Sequence, residues 1–220
     1  MHLRGVAILL SLPALASCIP HGAERVKPIP RRGAPAVSAA PSAAETRQCM
    51  ADLQRDGISF RPLPDRDYGN GCTAIGTVQL LDIGTPVTNL GAMTCPLARG
   101  FEHWVRDSVQ PSARAGLGSR VARIESFGTY SCRPVNGQAG ARLSEHGHAN
   151  AVDVGAFQLD DGRRITILQG WPGPDENVRK FLRAVHDAGC RRFPVVLGPD
   201  ANAFHRNHLH FDMGRGPYCH

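Results

Sequence analysis

The cysteines of this chain restrict the folds that it can adopt. Seven are present among 220 residues, namely Cys18, Cys49, Cys72, Cys95, Cys132, Cys190 and Cys219. The first ends an apolar N-terminal stretch, which leaves an even number for the rest of the chain. Such a set predicts a disulfide framework when a protein is exported to an oxidising compartment. Zinc held by cysteines is disfavoured, because the sequence contains no C-x2-C pair.

The sequence does not decide how the cysteines pair, because so many pairings are possible. Our working expectation joins nearest neighbours along the chain. Each bridge would stabilise the fold by about 2–4 kcal/mol. The expected pairs are Cys49–Cys72, Cys95–Cys132 and Cys190–Cys219.

The N-terminus predicts export. Residues 1–17 contain one Arg and then an apolar run that is too short to span a bilayer, which is typical of a signal peptide. The ending Leu15-Ala16-Ser17-Cys18 resembles the lipobox of bacterial lipoproteins, in which the Cys is lipidated and becomes the new N-terminus. Since Ile19 follows and not Asp, the resemblance implies an outer-membrane lipoprotein facing the periplasm. The alternative is a plain signal peptide cleaved near Ala16 or later.

The next segment, residues 18–44, is rich in Pro, Ala and Ser and has no aromatic residue. Such a segment cannot bury enough apolar surface to fold, so we expect a disordered tether. The folded domain is predicted to cover residues 45–220. We expect a monomer.

The formal net charge of +6 favours acidic partners, although an ordinary basic envelope protein has the same balance. Nucleic-acid binding is not expected, because no basic run is interleaved with aromatic residues.

The hydrophobic pattern predicts an α+β fold. We expect about three helices, over Glu45–Arg55, Pro96–Val109 and Glu176–Ala188. In the second helix, Trp104 lies in an apolar stripe that is typical of a core face. Helices followed mostly by strands favour a small antiparallel sheet. The predicted strands are Val78–Ile83, Val121–Ser131, Ala151–Gln158, Arg164–Leu168, Val195–Leu197 and His208–Met213, with a hairpin turn at residues 160–162.

Two segments concentrate the histidines. His146 lies in a glycine-containing loop, and Asp153 lies in an apolar run where a carboxylate is costly unless it is paired or binds a metal. Downstream, His208 and His210 are two residues apart in a predicted strand, so their side chains share one face. Nitrogen and oxygen ligands from neighbouring strands can form a tetrahedral zinc site with one open position.

The spacing Ser-x-His-x6-Asp followed by His-x-His resembles the zinc peptidases that include lysostaphin-type endopeptidases and D-Ala-D-Ala carboxypeptidases. The resemblance implies that His146, Asp153 and His210 bind Zn2+ and that His208 takes part in catalysis. Arg133 is implied near the substrate as an oxyanion or carboxylate ligand, and a salt bridge to a nearby acid is the alternative.

A closer resemblance is to the bacterial extensin-like C-terminal domain family, over roughly residues 49–219. One departure from the peptidase motif is Ala149, which stands where the motif usually has Gly. The residues that carry the resemblance are Thr94-Cys95, Trp104, Tyr130-Ser131-Cys132-Arg133, Ser144–Asp153, Leu197-Gly198-Pro199 and His208-Leu209-His210.

Five further residues have open roles. Ser144 is predicted to hold the motif loop by a bond from its side chain to the backbone. Asp212 is either an acceptor that orients an imidazole or a plain surface residue. His148 and His205 are either loop histidines or additional site residues, and the loop interpretation is favoured. Glu145 is expected to point away from the metal.

These expectations define a zinc-dependent peptidase, either an endopeptidase or a carboxypeptidase, acting on peptidoglycan peptides. The alternative is a non-catalytic, zinc-containing domain that binds the cell wall or has a structural role. The open coordination position favours the enzyme, since purely structural zinc sites are usually closed and rich in cysteine.

Overall fold

A seven-stranded mixed sheet and a long interrupted helix organise residues 40–220, which this computed structural model describes together with His2. The helical segments are α1 (Ala43–Arg55), α2 (Cys95–Trp104), a π-helical segment (Val105–Val109), α3 (Gln110–Leu117), α4 (Ile167–Gly170) and α5 (Glu176–Cys190). The strands are β1 (Ser59–Pro62), β2 (Arg66–Gly69), β3 (Cys72–Ala74), β4 (Thr77–Asp82), β5 (Val87–Thr88), β6 (Met93–Thr94), β7 (Val121–Gly128), β8 (Ala151–Leu159), β9 (Arg164–Thr166), β10 (Val195–Leu197), β11 (Leu209–Asp212) and β12 (Tyr218–Cys219).

The main sheet has the strand order β12-β10-β11-β8-β7-β5, and β9 also pairs with β8. Its central pairs are antiparallel as predicted, whereas β5–β7 and β10–β12 are parallel. The turn at residues 160–162 joins β8 to β9 as a hairpin, as expected. Two smaller antiparallel sheets, β1-β4-β6 and β2-β3, complete the α+β fold.

The core lies between this sheet and the helices. Trp104 is fully buried, and its ring centroid lies 4.7 Å from that of Phe211 in β11 and 6.3 Å from that of Phe157 in β8. Its indole Nε1 donates a hydrogen bond to the carbonyl oxygen of Val185 in α5, 2.8 Å away. The tryptophan therefore joins both layers, and its interpretation as a core residue is confirmed.

The second predicted helix is longer than expected. The predicted helix ends at Val109, before Pro111, yet helical backbone continues past this proline to Leu117. The π-helical segment explains the difference, because Gln110 N–H bonds the carbonyl of Val105 and the wider turn accommodates the proline. Thr94 lies at the N-cap position, but its hydroxyl bonds Asn150 Oδ1 and not the helix backbone.

The first helix begins at Ala43, inside the range predicted as tether. Ser42 and Glu45 form a capping box, in which Ser42 Oγ accepts from the N–H of Glu45 and the Glu45 carboxylate accepts from the N–H of Ser42. The predicted signal peptide, Cys18 and most of the tether lie outside the described residues. In the described part of the chain, none of the helices has both the length and the apolar composition that crossing a membrane requires.

Three disulfides cross-link the described residues, but the nearest-neighbour pairing is wrong for four cysteines. Cys49 pairs with Cys95 and Cys72 pairs with Cys132, whereas the expected Cys190–Cys219 bridge is confirmed. The reason is tertiary packing, since α1 lies against α2 and β3 lies beside the loop that contains His146. Cysteines distant in sequence are thereby brought into bonding range.

Candidate metal centre

Paired strands position two of the predicted ligands. In the antiparallel pair β8–β11, Asp153 and His210 are direct partners across the ladder. Directly opposed residues project to the same face of a sheet, so the carboxylate and the imidazole meet. Both side chains are buried. The apolar sequence of β8 thus carries its one acidic residue to a buried place in the sheet.

The third predicted ligand, His146, lies on a single 3-10 turn, Glu145–His148, that precedes β8. Ser144 Oγ accepts a hydrogen bond from the N–H of His146 at 3.3 Å, which confirms the predicted role of Ser144. Ala149 ends the turn with a φ of 53°, in the left-handed region that favours glycine. Ala149 therefore adopts the backbone conformation that a glycine would favour at this position.

The structure brings the three predicted ligands into mutual contact. His146 Nε2 lies 3.1 Å from Asp153 Oδ2, and His210 Nδ1 lies 2.8 Å from Asp153 Oδ1. The two ring nitrogens are 3.2 Å apart. The described residues could hold a metal ion at this point, because each offers one ligand atom to a common centre.

The ring nitrogens on the far side of each imidazole are also engaged. His146 Nδ1 lies 3.3 Å from the carbonyl oxygen of Thr129, which can only accept, so Nδ1 carries the proton. His210 Nε2 lies 2.8 Å from Asp212 Oδ2. Asp212 is buried and holds an imidazole, so its interpretation as a plain surface residue is excluded.

The electrostatics of the site reflect this contact. Burial by itself would raise the pKa of Asp153, but hydrogen bonds with His146 and His210 hold it well below its ordinary value. Burial would lower the pKa of His210, but hydrogen bonds to Asp153 and Asp212 raise it to about 9. Without a metal, His210 is therefore a cation between two carboxylates at neutral pH.

His208 lies just before β11, because the strand begins at Leu209 and not at His208 as predicted. Its Nε2 is 3.6 Å from Asp153 Oδ1. Burial, only partly offset by the charge of Asp153, lowers the pKa of His208 below its ordinary value. A neutral imidazole therefore stands beside the three ligands without displacing them.

Two other predicted residues lie near the centre. Arg133 is half-exposed, and its Nη2 lies 3.9 Å from Asp153 Oδ2. His205 is buried, with its ring centroid 5.7 Å from that of His210 and its Nδ1 2.9 Å from Asn202 Oδ1. Burial lowers the pKa of His205 to about 4. The sequence favoured a loop histidine over an extra site residue, and His205 ends the 3-10 turn Ala203–His205 yet also lines the cavity beside the ligands.

His146 and His210 line an open cavity of about 470 Å3, and Asp153 contacts both of them. The cavity wall includes the basic side chains of Arg133, His146, His208, His210, Arg142 and Arg215. The last two residues were not identified from the sequence, because their loops contain no motif. Thr129 was also missed, since a backbone carbonyl leaves no sequence signal.

His148 belongs to a different place. Its Nδ1 lies 3.2 Å from Thr73 Oγ1, and the side chain lines a second cavity of about 780 Å3. Glu145 is buried and accepts a hydrogen bond from Asn150 Nδ2 at 2.7 Å. Neither residue is among the three ligands, in agreement with the sequence interpretation.

Comparison with known proteins identifies the family. The family described as "Extensin-like protein C-terminus" matches residues 47–220. Comparison with curated proteins and with solved structures gave no match. The family match includes the greater part of α1, all three disulfides and both segments of the candidate metal centre. This chain therefore belongs to the family of extensin-like protein C-terminal domains.

Proposed function

We propose that this protein is a zinc-dependent peptidase that hydrolyses peptide bonds in bacterial peptidoglycan. The observation that carries the proposal is the contact of His146 Nε2, Asp153 and His210 Nδ1 within 3.2 Å of one another, with the two histidines at the wall of an open cavity. The resemblance of the motif spacing to lysostaphin-type and D-Ala-D-Ala peptidases supports the choice of reaction.

The donor set fits zinc. Zinc binds imidazole nitrogen and carboxylate oxygen at about 2.0–2.2 Å, so ligand atoms of a tetrahedral site lie about 3.3–3.6 Å apart. The separations of 2.8, 3.1 and 3.2 Å are all shorter than this range, so the side chains would move slightly apart to admit the ion. Three protein ligands leave the fourth position for water or substrate, as in catalytic zinc sites.

The protonation pattern also favours a cation. Because His146 Nδ1 donates to Thr129, its Nε2 directs a lone pair at the centre. Asp212 can likewise fix the tautomer of His210, with the proton on Nε2 and a lone pair on Nδ1 that also faces the centre. Two lone pairs and a carboxylate directed at one point repel each other unless a metal ion or a proton lies between them.

Around the ion, each neighbouring side chain has a distinct role. Bound zinc would polarise the substrate carbonyl and lower the pKa of a water molecule toward neutrality. His208 is a neutral imidazole, and its unprotonated Nε2 would accept the proton released when the nucleophile attacks. The Arg133 guanidinium would stabilise the negative charge that develops on the carbonyl oxygen.

The proposed location is the periplasmic side of the outer membrane, with a lipid anchor at Cys18 and peptidoglycan as partner. The three disulfides support export, because such bonds persist in oxidising compartments. Labelling of the expressed protein with a radioactive fatty acid tests the anchor. An unlabelled mature chain would refute lipidation without affecting the proposed reaction.

The reaction is tested by incubating the zinc-loaded protein with purified peptidoglycan and analysing the released peptides by mass spectrometry. We expect pairs of products whose masses sum to that of the parent peptide plus one water, and none from Asp153→Asn. Asp160→Asn, at an exposed turn position, is the matched control and should cleave normally. If the zinc-loaded protein binds peptidoglycan but releases nothing, the non-catalytic wall-binding alternative is favoured.

A further inference from the structure

The wall of the metal cavity carries two arginines that the proposed reaction does not use. Arg142 and Arg215 come from separate loops and are both exposed. Among the described residues, no carboxylate lies within ion-pair distance of either guanidinium. Arg133, on the same wall, has the weak contact of 3.9 Å with Asp153. Two positive charges therefore face the cavity without a counter-charge from the described chain.

Acids that line the same cavity do not neutralise these arginines, because they are engaged elsewhere. Asp212 accepts from His210 Nε2 at 2.8 Å and from the N–H of Gly214 at 2.7 Å. Glu145 is buried and bonded to Asn150 at 2.7 Å. Binding of a divalent cation would add further positive charge. The cavity thus presents a cationic wall to any substrate.

Both arginines are carried on backbone that is tied to the site. The carbonyl oxygen of Arg142 accepts from the N–H of Val135 at 2.9 Å, which closes the loop after Arg133. Arg215 follows Gly214, whose N–H is held by Asp212, the residue that orients His210. The two loops therefore anchor the backbone of both arginines beside the ligands, and their side chains line the cavity.

We propose that Arg142 and Arg215 bind a free carboxylate of the substrate, so that the site selects peptides with a carboxylate close to the bond that is cut. A guanidinium offers paired N–H donors whose geometry matches a carboxylate, and such charge-assisted bonds are stronger than neutral ones. The inference rests on the proposed function, since it names the substrate class of the same site. A merely solvated pair of surface arginines would show no such preference.

The test compares two wall-type peptides that differ only in a C-terminal carboxylate or carboxamide. The zinc-loaded full chain is used, with Arg142→Gln, Arg215→Gln and the double variant. We expect the unsubstituted protein to bind and cleave the carboxylate peptide with roughly tenfold preference. Each single variant should raise KM for that peptide about fivefold, and the double variant should lose the preference. Arg114→Gln, on the exposed surface of α3, is the matched control and should keep the preference.

The outcomes separate this inference from the proposed reaction. Cleavage of both peptides with equal KM overturns the carboxylate site and leaves the peptidase intact. Binding with a preference that the double variant loses, but without cleavage, supports the carboxylate site and refutes the peptidase. Competition by acetate but not by phosphate at equal concentration supports a carboxylate, whereas stronger competition by phosphate overturns it.

Discussion

Asp153 and His210 are direct partners across two antiparallel strands, and their side chains meet at 2.8 Å. This pairing positions two of the three predicted ligands, and both strands lie in the interior of the main sheet. The third ligand, His146, is brought by a short turn whose Ser144 and Ala149 ends are set by local hydrogen bonds. A ligand set held in this way needs little rearrangement to accept an ion.

Removal of the acceptor behind His210 should weaken metal binding. Asp212→Asn replaces a carboxylate by an amide at the 2.8 Å contact with His210 Nε2, so the imidazole loses its orientation and basicity. We expect the zinc affinity to fall by about 10–100-fold, as measured by competition with a chromophoric chelator. Asp160→Asn is the control and should bind as tightly as the unsubstituted protein. An equal affinity for both variants would show that Asp212 does not support the metal.

The pH dependence of stability should depend on zinc. The pKa of His210 is raised to about 9 in the metal-free fold, above its ordinary value of 6.5. The protonated His210 therefore contributes to the free energy of unfolding in full below pH 6.5, and this contribution is lost as pH rises through about 9. The reason is that the folded chain keeps a proton that the unfolded chain has released. Urea unfolding should show a falling free energy over this range without zinc. With zinc, His210 binds as the neutral imidazole, so this loss should disappear.

If the metal-free protein gains stability between these two pH values, the ion pair of His210 with its carboxylates is contradicted. Because zinc displaces the proton of His210, binding should also release a proton and tighten as pH rises over the same window. Isothermal titration in buffers of different ionisation enthalpy measures that proton directly.

The acid side of the stability curve should depend on His205. Burial lowers the pKa of His205 to about 4 in the folded state. Since the unfolded chain gains a proton near its ordinary pKa of 6.5, this group destabilises the fold progressively as pH falls from 6.5 toward 4. His205→Gln should flatten that part of the curve in chemical denaturation. An unchanged slope would mean that His205 is not held neutral.

Removal of the Cys72–Cys132 disulfide should lower the zinc affinity, whereas removal of Cys190–Cys219 should not. Cys72–Cys132 closes a separation of 60 residues and ties β3 to the loop whose Ser131 N–H bonds the carbonyl of His146 at 3.1 Å. The Cys72→Ser/Cys132→Ser variant should lose about 4 kcal/mol of unfolding free energy and bind zinc more weakly. The matched variant Cys190→Ser/Cys219→Ser should lose a similar free energy but keep its zinc affinity. Equal zinc affinities in the two variants would contradict this coupling.

Replacement of His208 should separate catalysis from metal binding. His208→Gln removes the neutral imidazole beside Asp153, and we expect kcat on wall peptides to fall by about 10²–10⁴ with zinc content retained. His103→Gln, in α2, is the control, because His103 contacts Asp56 and does not line the cavity. Cleavage at the normal rate by a zinc-loaded His208→Gln protein would assign the proton transfer to another group.

Much of the fold could be predicted from local pattern. The six predicted strands all exist, because alternating and continuous apolar runs report burial directly. The passage of the second helix through Pro111 could not be predicted, since it depends on a π-helical turn that no short pattern encodes. The disulfide pairing also failed, because the positions of Cys49 and Cys72 are set by how distant elements pack and not by their spacing.

The candidate site shows the same division. His146, Asp153 and His210 were identifiable because their spacing places chemically suited side chains on two adjoining strands and on the turn that precedes one of them. Thr129 was not, because it contributes a carbonyl that every residue has. Arg142 and Arg215 were missed because two loops converge on the cavity only in the folded chain.

Anomalous diffraction at the zinc absorption edge would show whether one zinc ion is shared by His146, Asp153 and His210. Crystals of the protein loaded with an equimolar amount of zinc should show a single strong peak about 2.0–2.2 Å from His146 Nε2, His210 Nδ1 and an oxygen of Asp153. If zinc-loaded crystals show no peak among these atoms, or if the metal lies at another group of residues, the three side chains do not form the zinc site.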